Sequence, residues 1–322
     1  MHRTLLSLAA SVTSLAIGAS AAAAQTVGSW PTRPIEMIIA FGAGGGVDIV
    51  GRSIGSAIGE QVGQNLVVVN REGAGGTLGF GVLAAAPPDG YTLGFGPTTP
   101  IANAPYLVKG VRYEVGSFDY ICQVFENVFT LAVPAESKFK SAQDLFAAAG
   151  KEPGKLTFGH AGLGTIPHLS VENLGEALKL KFTQVPFRGD APMLPVLIKG
   201  DLDFGALAIS SIRGQNVRLL MVFAEQRHPA YPDVPTAKEL GVAHPVPPGH
   251  NGVFAPKGLP AEIRASLEKA CAAAVRSPTV AQATANTSQT IRYLTGPQFQ
   301  AQTVADHKFK GELIRRLGLE AK

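Results

Sequence analysis

The chain has 322 residues, with 28 basic and 24 acidic side chains and a formal net charge of +4. That balance is too slight to mark a nucleic-acid binder, and no block of like charge or basic, aromatic-studded stretch argues for one. The two cysteines fit no metal-ligand spacing, and beyond the first 24 residues no segment offers about 18 uninterrupted apolar residues for a membrane span.

Residues 1–24 read as a cleaved signal peptide. His2 and Arg3 form a short basic start, Leu5 to Ile17 is apolar, and Ala22, Ala23 and Ala24 precede Gln25 as an A-x-A cleavage site. No cysteine sits at the cleavage point, so the expected product is soluble and periplasmic, without a lipid anchor. Cleavage removes only Arg3 from the charge count, leaving 27 basic residues against 24 acidic. The mature length suits two modest domains. Cys122 and Cys271 leave two readings open, a disulfide in an oxidising compartment or two small buried side chains, the second suggested by the alanine-rich stretch KACAAAV around Cys271.

Ile35 to Phe41 reads as a buried strand and Val47 to Gln61 as a helix, so Gly42 to Gly46 is a tight turn between them. Glycines there let the backbone N–H groups at the helix start approach a guest closely, and the helix dipole favours an anion. Asn65 to Asn70 is the next strand. Arg71 to Gly81 is a second glycine-rich loop, followed by a helix from Phe80 to Ala86, the break Pro87, Pro88, Asp89, Gly90, and a strand from Tyr91 to Gly96. Strands alternating with helices predict a doubly wound, mostly parallel sheet with its ligand side at the carboxyl ends of the strands, where Phe41 to Gly46, Glu72 to Thr77 and Pro97 to Asn103 fall.

Strands are predicted at Tyr120 to Val124 and Val128 to Pro134, with Glu126 and Asn127 as a crossing between domains. Ser141 is placed to cap a helix to Ala149, with Asp144 at its third position. Leu156 to His160, then Ala161 to His168, then a helix to Leu178 repeat the first arrangement of strand, glycines and helix, with Pro167 near the helix start. Phe182 to Pro186, a helix from Pro192 to Ile198, Leu202 to Ala206 and Val217 to Ala224 complete a second α/β unit. The proline- and glycine-rich run from His228 to Gly252 is read as the return crossing. Val253 to Pro256 follows as a strand and Pro260 to Val275 as a helix, Ser277, Pro278 and Thr279 as punctuation, and Gln298 to Leu317 as a final helix. The expected domains are 25–126 plus 250–322, and 127–249.

In this order and spacing, WPTRPIEMIIAFGAGGGVDIVGR (30–52), VVVNREGAGGTLG (67–79), PPDGYTL (87–93), AGLGTIPHL (161–169), VPFRG (185–189), GDLDF (200–204), YPDVPTAKELG (231–241) and FAPKGLP (254–260) resemble the substrate-binding receptors of tripartite tricarboxylate transporters, the Bug proteins. The resemblance covers essentially the whole mature chain. It implies an α/β periplasmic-binding-protein fold of type II-like form, whose two domains enclose a small carboxylate in the cleft between them. It implies a receptor, not an enzyme, with no cofactor, that delivers its ligand to membrane transporter subunits. Carried over residue by residue, the first ligand loop is Phe41, Gly42, Ala43, Gly44, Gly45, Gly46, Val47 and Asp48. The second is Ala161, Gly162, Leu163, Gly164, Thr165 and His168. Thr98, Thr99 and Asn103 close one side, and Ile209 and Ser210 lie where the last loop of the second domain contributes. Family members commonly carry prolines after the first-loop phenylalanine and hydroxyl residues before the aspartate. Gly42, Ala43, Gly46 and Val47 stand there instead, and Leu163 and Ile166 flank Thr165, so the rim suggests a ligand with an aromatic or long aliphatic body, not citrate.

Several of these residues have a plainer reading. Asp48 stabilises its helix from the first turn or meets a ligand's donor, with Arg52 offsetting its charge. His160 and His168 pack or contact ligand, and Arg188 contacts ligand or braces Asp190 or Asp203. Thr165 caps its helix or donates to an anion; in the second case Thr165→Val weakens binding by about 1 kcal/mol or more. A dinucleotide-binding enzyme is the competing class. Gly42, Gly44 and Val47 break G-x-G-x-x-G, no P-loop lysine follows, and no G-x-S-x-G or H-E-x-x-H motif appears, so no catalytic or metal residue is assigned. A receptor presenting its ligand to a sensor kinase without transport is the alternative function. Modest charge suggests a monomer.

Overall fold

The computed structural model describes residues 30–321, so the signal-peptide reading of residues 1–24 lies outside the described residues. Apart from two single-turn 3-10 segments, the chain runs β1 (Ile35–Ile39), α1 (Gly46–Val62), β2 (Leu66–Asn70), α2 (Thr77–Ala84), β3 (Thr92–Pro97), α3 (Thr99–Leu107), β4 (Phe118–Asn127) and β5 (Phe129–Pro134). It continues through α4 (Ala142–Lys151), β6 (Thr157–His160), α5 (Ile166–Leu178), β7 (Thr183–Pro186), α6 (Asp190–Lys199), β8 (Phe204–Ala208), α7 (Ile209–Ile212) and β9 (Val217–Phe223). β10 (Gly249–Pro256), α8 (Ala261–Val275), α9 (Pro278–Asn286), β11 (Thr290–Thr295) and α10 (Gly296–Arg316) complete it.

Two sheets result, ordered β11-β4-β10-β3-β1-β2 and β7-β6-β8-β5-β9. The strands next to each glycine turn are parallel: β2, β1 and β3 in the first sheet, β7, β6 and β8 in the second. These are the β-α-β units read in the sequence, because a parallel pair needs a helical crossover. The remaining pairs are antiparallel, so both sheets are mixed. The cause is the crossing. β4 runs to Asn127, Val128 alone intervenes, and β5 begins the second sheet at Phe129. The returning strand β10 pairs antiparallel with β4 at the same point, Gly249 opposite Asn127 and His250 opposite Glu126.

Ser141 caps α4 as read, its hydroxyl accepting from the Asp144 N–H at 3.1 Å while Asp144 reaches back to the Ser141 N–H at 2.9 Å. Four elements escaped the sequence reading: the short α7, whose Ile209 and Ser210 were read as loop, and α3, α9 and β11. α3 carries Pro100 in its first turn and Pro105 near its end, a composition that reads as loop. α9 begins at Pro278 with the Ser277 hydroxyl accepting from the Val280 N–H, so the supposed punctuation is a helix start. β11 is an edge strand, exposed at Ile291 and Arg292, with no apolar alternation to betray it.

Under the first sheet lies an aromatic core in which Phe80 meets Phe118 and Phe254 edge-on at centroid distances of 5.7 and 5.3 Å, and Tyr120 meets Phe299 at 5.3 Å. The second sheet is packed on one face around Phe158, Val171, Leu174 and Phe204, and on the other around Met193, Leu197 and Leu207. Of the two readings left open for the cysteines, the structure holds the disulfide: Cys122 on β4 and Cys271 on α8, both fully buried, are joined with their Cα atoms 6.5 Å apart. The link closes a loop 149 residues long, for which lost chain entropy alone amounts to about 5 kcal/mol. Replacing both cysteines by alanine is expected to lower the unfolding free energy by about 2–5 kcal/mol. Denaturant unfolding with and without reductant checks this, since reductant should shift only the wild-type curve.

A buried charge cluster sits where β10 crosses. His250 lies 3.2 Å from Asp306 and 3.5 Å from Glu126, Lys310 is fully buried 3.0 Å from Asp306, and Arg292 reaches Glu126 at 3.1 Å. Burial disfavours the charged imidazole and Lys310 repels it, but the two carboxylates outweigh both and raise the His250 pKa above its ordinary value of 6.5. Its stabilisation is therefore fully present below that ordinary value and is lost as pH rises through the folded one. Unfolding free energies should fall as pH rises from the ordinary histidine value through the higher folded one, and His250→Gln should flatten that part of the profile.

Candidate functional site

Between β1 and α1 the backbone turns through Gly44 at φ +82°, a left-handed conformation that suits glycine, and Gly45 stands at the cap position with no side chain to offer α1. Asp48 turns back to hold this loop. Its Oδ2 accepts from the Gly44 N–H at 2.9 Å and from Arg52 Nε at 3.0 Å, and its Oδ1 accepts from Asn70 Nδ2 at 2.8 Å. The same Asn70 amide also donates to the Phe41 carbonyl at 2.9 Å. Burial opposes the Asp48 charge, but the bonds from Arg52, Asn70 and Gly44 prevail and lower its pKa. Of its two readings, the structure shows the one internal to the protein: both oxygens are committed. The N–H groups of Gly46, Val47 and Asp48, in the first turn of α1, have no intrahelical acceptor.

Phe41 packs against the glycine-rich loop between β2 and α2 at Gly76, whose own neighbours include Pro100 of α3. Glu72 leans on Gly42, where a Cβ would come 2.6 Å from its carboxylate. Ala43, Gly44 and Gly45 are exposed.

Although its sequence resembles the first turn, the second is built differently. Gly162 and Gly164 have φ of +124° and +69°. The Gly164 N–H donates to His168 Nδ1 at 2.9 Å, and the Gly164 carbonyl accepts from Asn103 Nδ2 of α3 at 3.0 Å. A side chain at Gly164 would overlap Leu107. His160 stacks on His168 with centroids 4.5 Å apart. Both rings are fully buried, and burial lowers both pKa values, that of His168 to about 4, with the neighbouring His160 contributing. His168 is thus neutral at pH 7 and braces the turn. Thr165 stands at the cap of α5, but its hydroxyl donates to the Gly162 carbonyl at 2.7 Å and makes no cap bond, so the hydrogen expected for an anion is already used. Ala161 is half-buried and Leu163 exposed.

Thr98 is fully buried; its N–H donates to the His250 carbonyl at 2.8 Å and its hydroxyl has no partner among the described residues. Thr99 is half-buried at the start of α3. Ile209 is buried, its N–H bonded to the Val128 carbonyl at 3.0 Å. Arg188 braces neither aspartate: Asp190 takes its bonds from the Ala208 N–H and the Ser211 hydroxyl, and Asp203 from Thr157.

A cavity of about 780 Å³ opens in front of α1. Gly44, Gly45, Gly46 and Ile49 form one wall, and Asp190, Ala191, Leu194, Pro195, Ile198 and Lys199 of α6 face them, with Ser210, Ser211, Gln215, Asn286 and Thr287 between. Arg213 ties one rim, donating to the Ala285 and Asn286 carbonyls at 2.7 and 3.1 Å. Of the residues named from sequence, Gly44, Gly45, Gly46 and Ser210 meet here, while the second turn lies against α3 and does not line this cavity. The α6 wall and the end of α9 were missed. The apolar run around Leu194 reads as core, and α9 was not recognised as a helix. Lys199, not Arg188, is the cation on the cavity wall. Among the described residues no group of three or more His, Cys, Asp or Glu side chains is arranged to hold a metal ion, and no helix is long and apolar enough to cross a membrane.

Asp48→Asn is expected to cost about 1–3 kcal/mol by disturbing charge-assisted bonds in the first loop. Because the folded pKa of Asp48 is lowered, its contribution is present above the ordinary carboxylate range and is lost as pH falls through the folded value. Acid titrations of unfolding free energy should show the variant losing that part of the slope.

The sequence model of the tripartite tricarboxylate transporter family receptor matches residues 50–319. A Cupriavidus necator protein encoded in the gbd 5′ region is 34% identical over 319 residues, covering 97% of this chain and 95% of its own. Among solved structures, an R. palustris protein with adipate superposes with a TM-score of 0.81 at 26% identity, covering 90% of this chain and 99% of that one. MatC from Rhodopseudomonas palustris with bound malate gives 0.72 at 29% identity, over 89% and 98%.

Proposed function

Since this chain belongs to the receptor family of tripartite tricarboxylate transporters, a family of solute-binding proteins and not enzymes, we propose that it captures a small carboxylate at the mouth of α1 and delivers it to membrane transporter subunits. The observation that carries this reading is the set of unbonded first-turn N–H groups from Gly46 to Asp48, beside a cavity wall formed by Gly44 to Gly46. Asp48 does not compete for the guest, because its charge is already balanced by Arg52 and by hydrogen bonds from Gly44 and Asn70. Adipate and malate in the related structures support a carboxylate as the class.

The body of the ligand is apolar in this reading. Leu194, Pro195, Ile198 and Ile49 line the cavity together, so an aromatic ring or an aliphatic chain extending from the carboxylate would be covered by carbon. Thr98 and Thr99, with the second turn from Ala161 to Thr165 and His168, serve in this reading as supporting structure behind the site. The domains are 25–126 plus 250–322 and 127–249, with the crossings at Val128 and Gly249 as the pivot. Residues 1–24 direct export to the periplasm, where the mature chain acts as a monomer.

A thermal-shift series with hexanoate, benzoate, adipate, malate and citrate tests this. A ligand bound only by the folded state raises its melting temperature with concentration. Hexanoate, benzoate or adipate should stabilise the protein more than citrate does. Stabilisation by citrate alone would contradict the apolar body, and no shift with any carboxylate would contradict the receptor reading.

A further inference from the structure

The helices built on the two sheets meet through unlike chemistry on and off the cavity rim. Off the rim lies a packed seam. Ile166 and Leu169 of α5, which follows β6 of the second sheet, are buried against Leu313 and Ile314 of α10, which follows β11 of the first, with Leu107 of α3 packed beside them. The bond from Asn103 to the Gly164 carbonyl crosses the same seam at 3.0 Å, as does an exposed ion pair of Arg316 with Glu176 at 2.7 Å. None of these residues lines the cavity.

At the rim the connection is Arg213. Its base is fixed, since Ile209 and Ile212 of α7 are buried, the Ile209 N–H is bonded to the Val128 carbonyl at 3.0 Å, and the Ser211 hydroxyl donates to Asp190 at 2.7 Å. From the end of α7 the guanidinium crosses to α9, where it donates to the Ala285 carbonyl at 2.7 Å and the Asn286 carbonyl at 3.1 Å. Carbonyls of a last helical turn lack intrahelical donors and carry the negative end of the dipole, so a cation suits them. Both ends of the link border the cavity, with Gln215 lining it on one side and Asn286 on the other. Arg213 itself is exposed. A further link, between the Thr290 hydroxyl and His228 at 3.3 Å, lies beside the crossing, because Thr290 pairs with Glu126.

The two connections differ in what it costs to part them. Opening the seam would bring buried apolar surface into water, which is unfavourable in proportion to its area. Releasing Arg213 from α9 only exchanges exposed polar bonds for bonds to water. We propose that Arg213 is a strap across the cavity mouth: the cavity opens by releasing α9 from Arg213 while the seam between α5 and α10 stays shut. A ligand touching both α1 and α6 favours the strapped arrangement, because those walls belong to different sheets, so the strap also sets how firmly the ligand is held. This last step rests on the carboxylate-receptor reading, whereas the opening motion does not.

Two substitutions and two readouts test it. Arg213→Ala cuts the strap, and Arg316→Ala removes an exposed bond of similar length across the seam. Spin labels on Asn216→Cys and Ala281→Cys, exposed positions on either side of the strap, report opening in the ligand-free protein; the native cysteines are joined to each other and take no label. Arg213→Ala should lengthen or broaden the distance between the labels, and Arg316→Ala should leave it as in wild type. Calorimetric titration with adipate should show binding weakened at least about threefold by Arg213→Ala, the range of an exposed bond to a charged group, and by less than about twofold by Arg316→Ala. An unchanged label distance in Arg213→Ala, or an equal lengthening in Arg316→Ala, would overturn the proposal. So would an adipate affinity for Arg213→Ala within twofold of a wild type that binds it, and the receptor reading would then stand. A wild type that does not bind adipate counts against that reading alone, and the label distances still decide on the strap.

Discussion

The architecture around the first turn depends on one carboxylate that is used up inside the protein. Asp48 joins Gly44, Arg52 and Asn70, and through Asn70 it reaches the Phe41 carbonyl, so a single side chain at the third position of α1 fixes both arms of the loop. An acid left free beside an anion site would repel its guest. An acid whose two oxygens are both bonded and whose charge is matched by an adjacent guanidinium instead gives rigidity, and the helix dipole is left to act on whatever enters the cavity.

The two glycine turns show how similar sequences acquire different duties. Each follows a parallel strand and opens a helix. In the first, bonds come from behind, from Asp48 and Asn70, and Ala43 to Gly45 stay exposed. In the second, Asn103 of α3 donates to the Gly164 carbonyl and His168 accepts from its N–H, so both backbone polar groups of that residue are bonded. The difference lies in residues remote from the glycines: Asn103 is 61 positions from Gly164. α3 joins the first sheet to the second turn through Asn103 and Leu107.

How much of this was legible follows from the range of each interaction. Ile35 to Val50 declared a strand, a turn and a helix because apolar run, glycines and amphipathic spacing lie side by side, and α4 was marked by a capping box four residues wide. The family likeness gave the two-sheet α/β plan, which the superpositions share. α3 was hidden by its prolines and β11 by its exposure at the sheet edge. The α6 wall of the cavity was invisible for another reason: nothing local distinguishes an apolar helix face turned to a cavity from one turned to the core. Thr165 shows the limit within a motif, since a hydroxyl at a helix start has several acceptors in reach and its neighbours decide among them.

The covalent tie between β4 and α8 bears on how the protein is prepared. It joins a strand that leads directly into the crossing to a helix that the chain reaches only after building the whole second sheet. Material made under reducing conditions would therefore differ from disulfide-bonded material in the mechanical backing of that strand, even with an identical sequence. Batches from the two sources are best treated as distinct reagents when their affinities are compared.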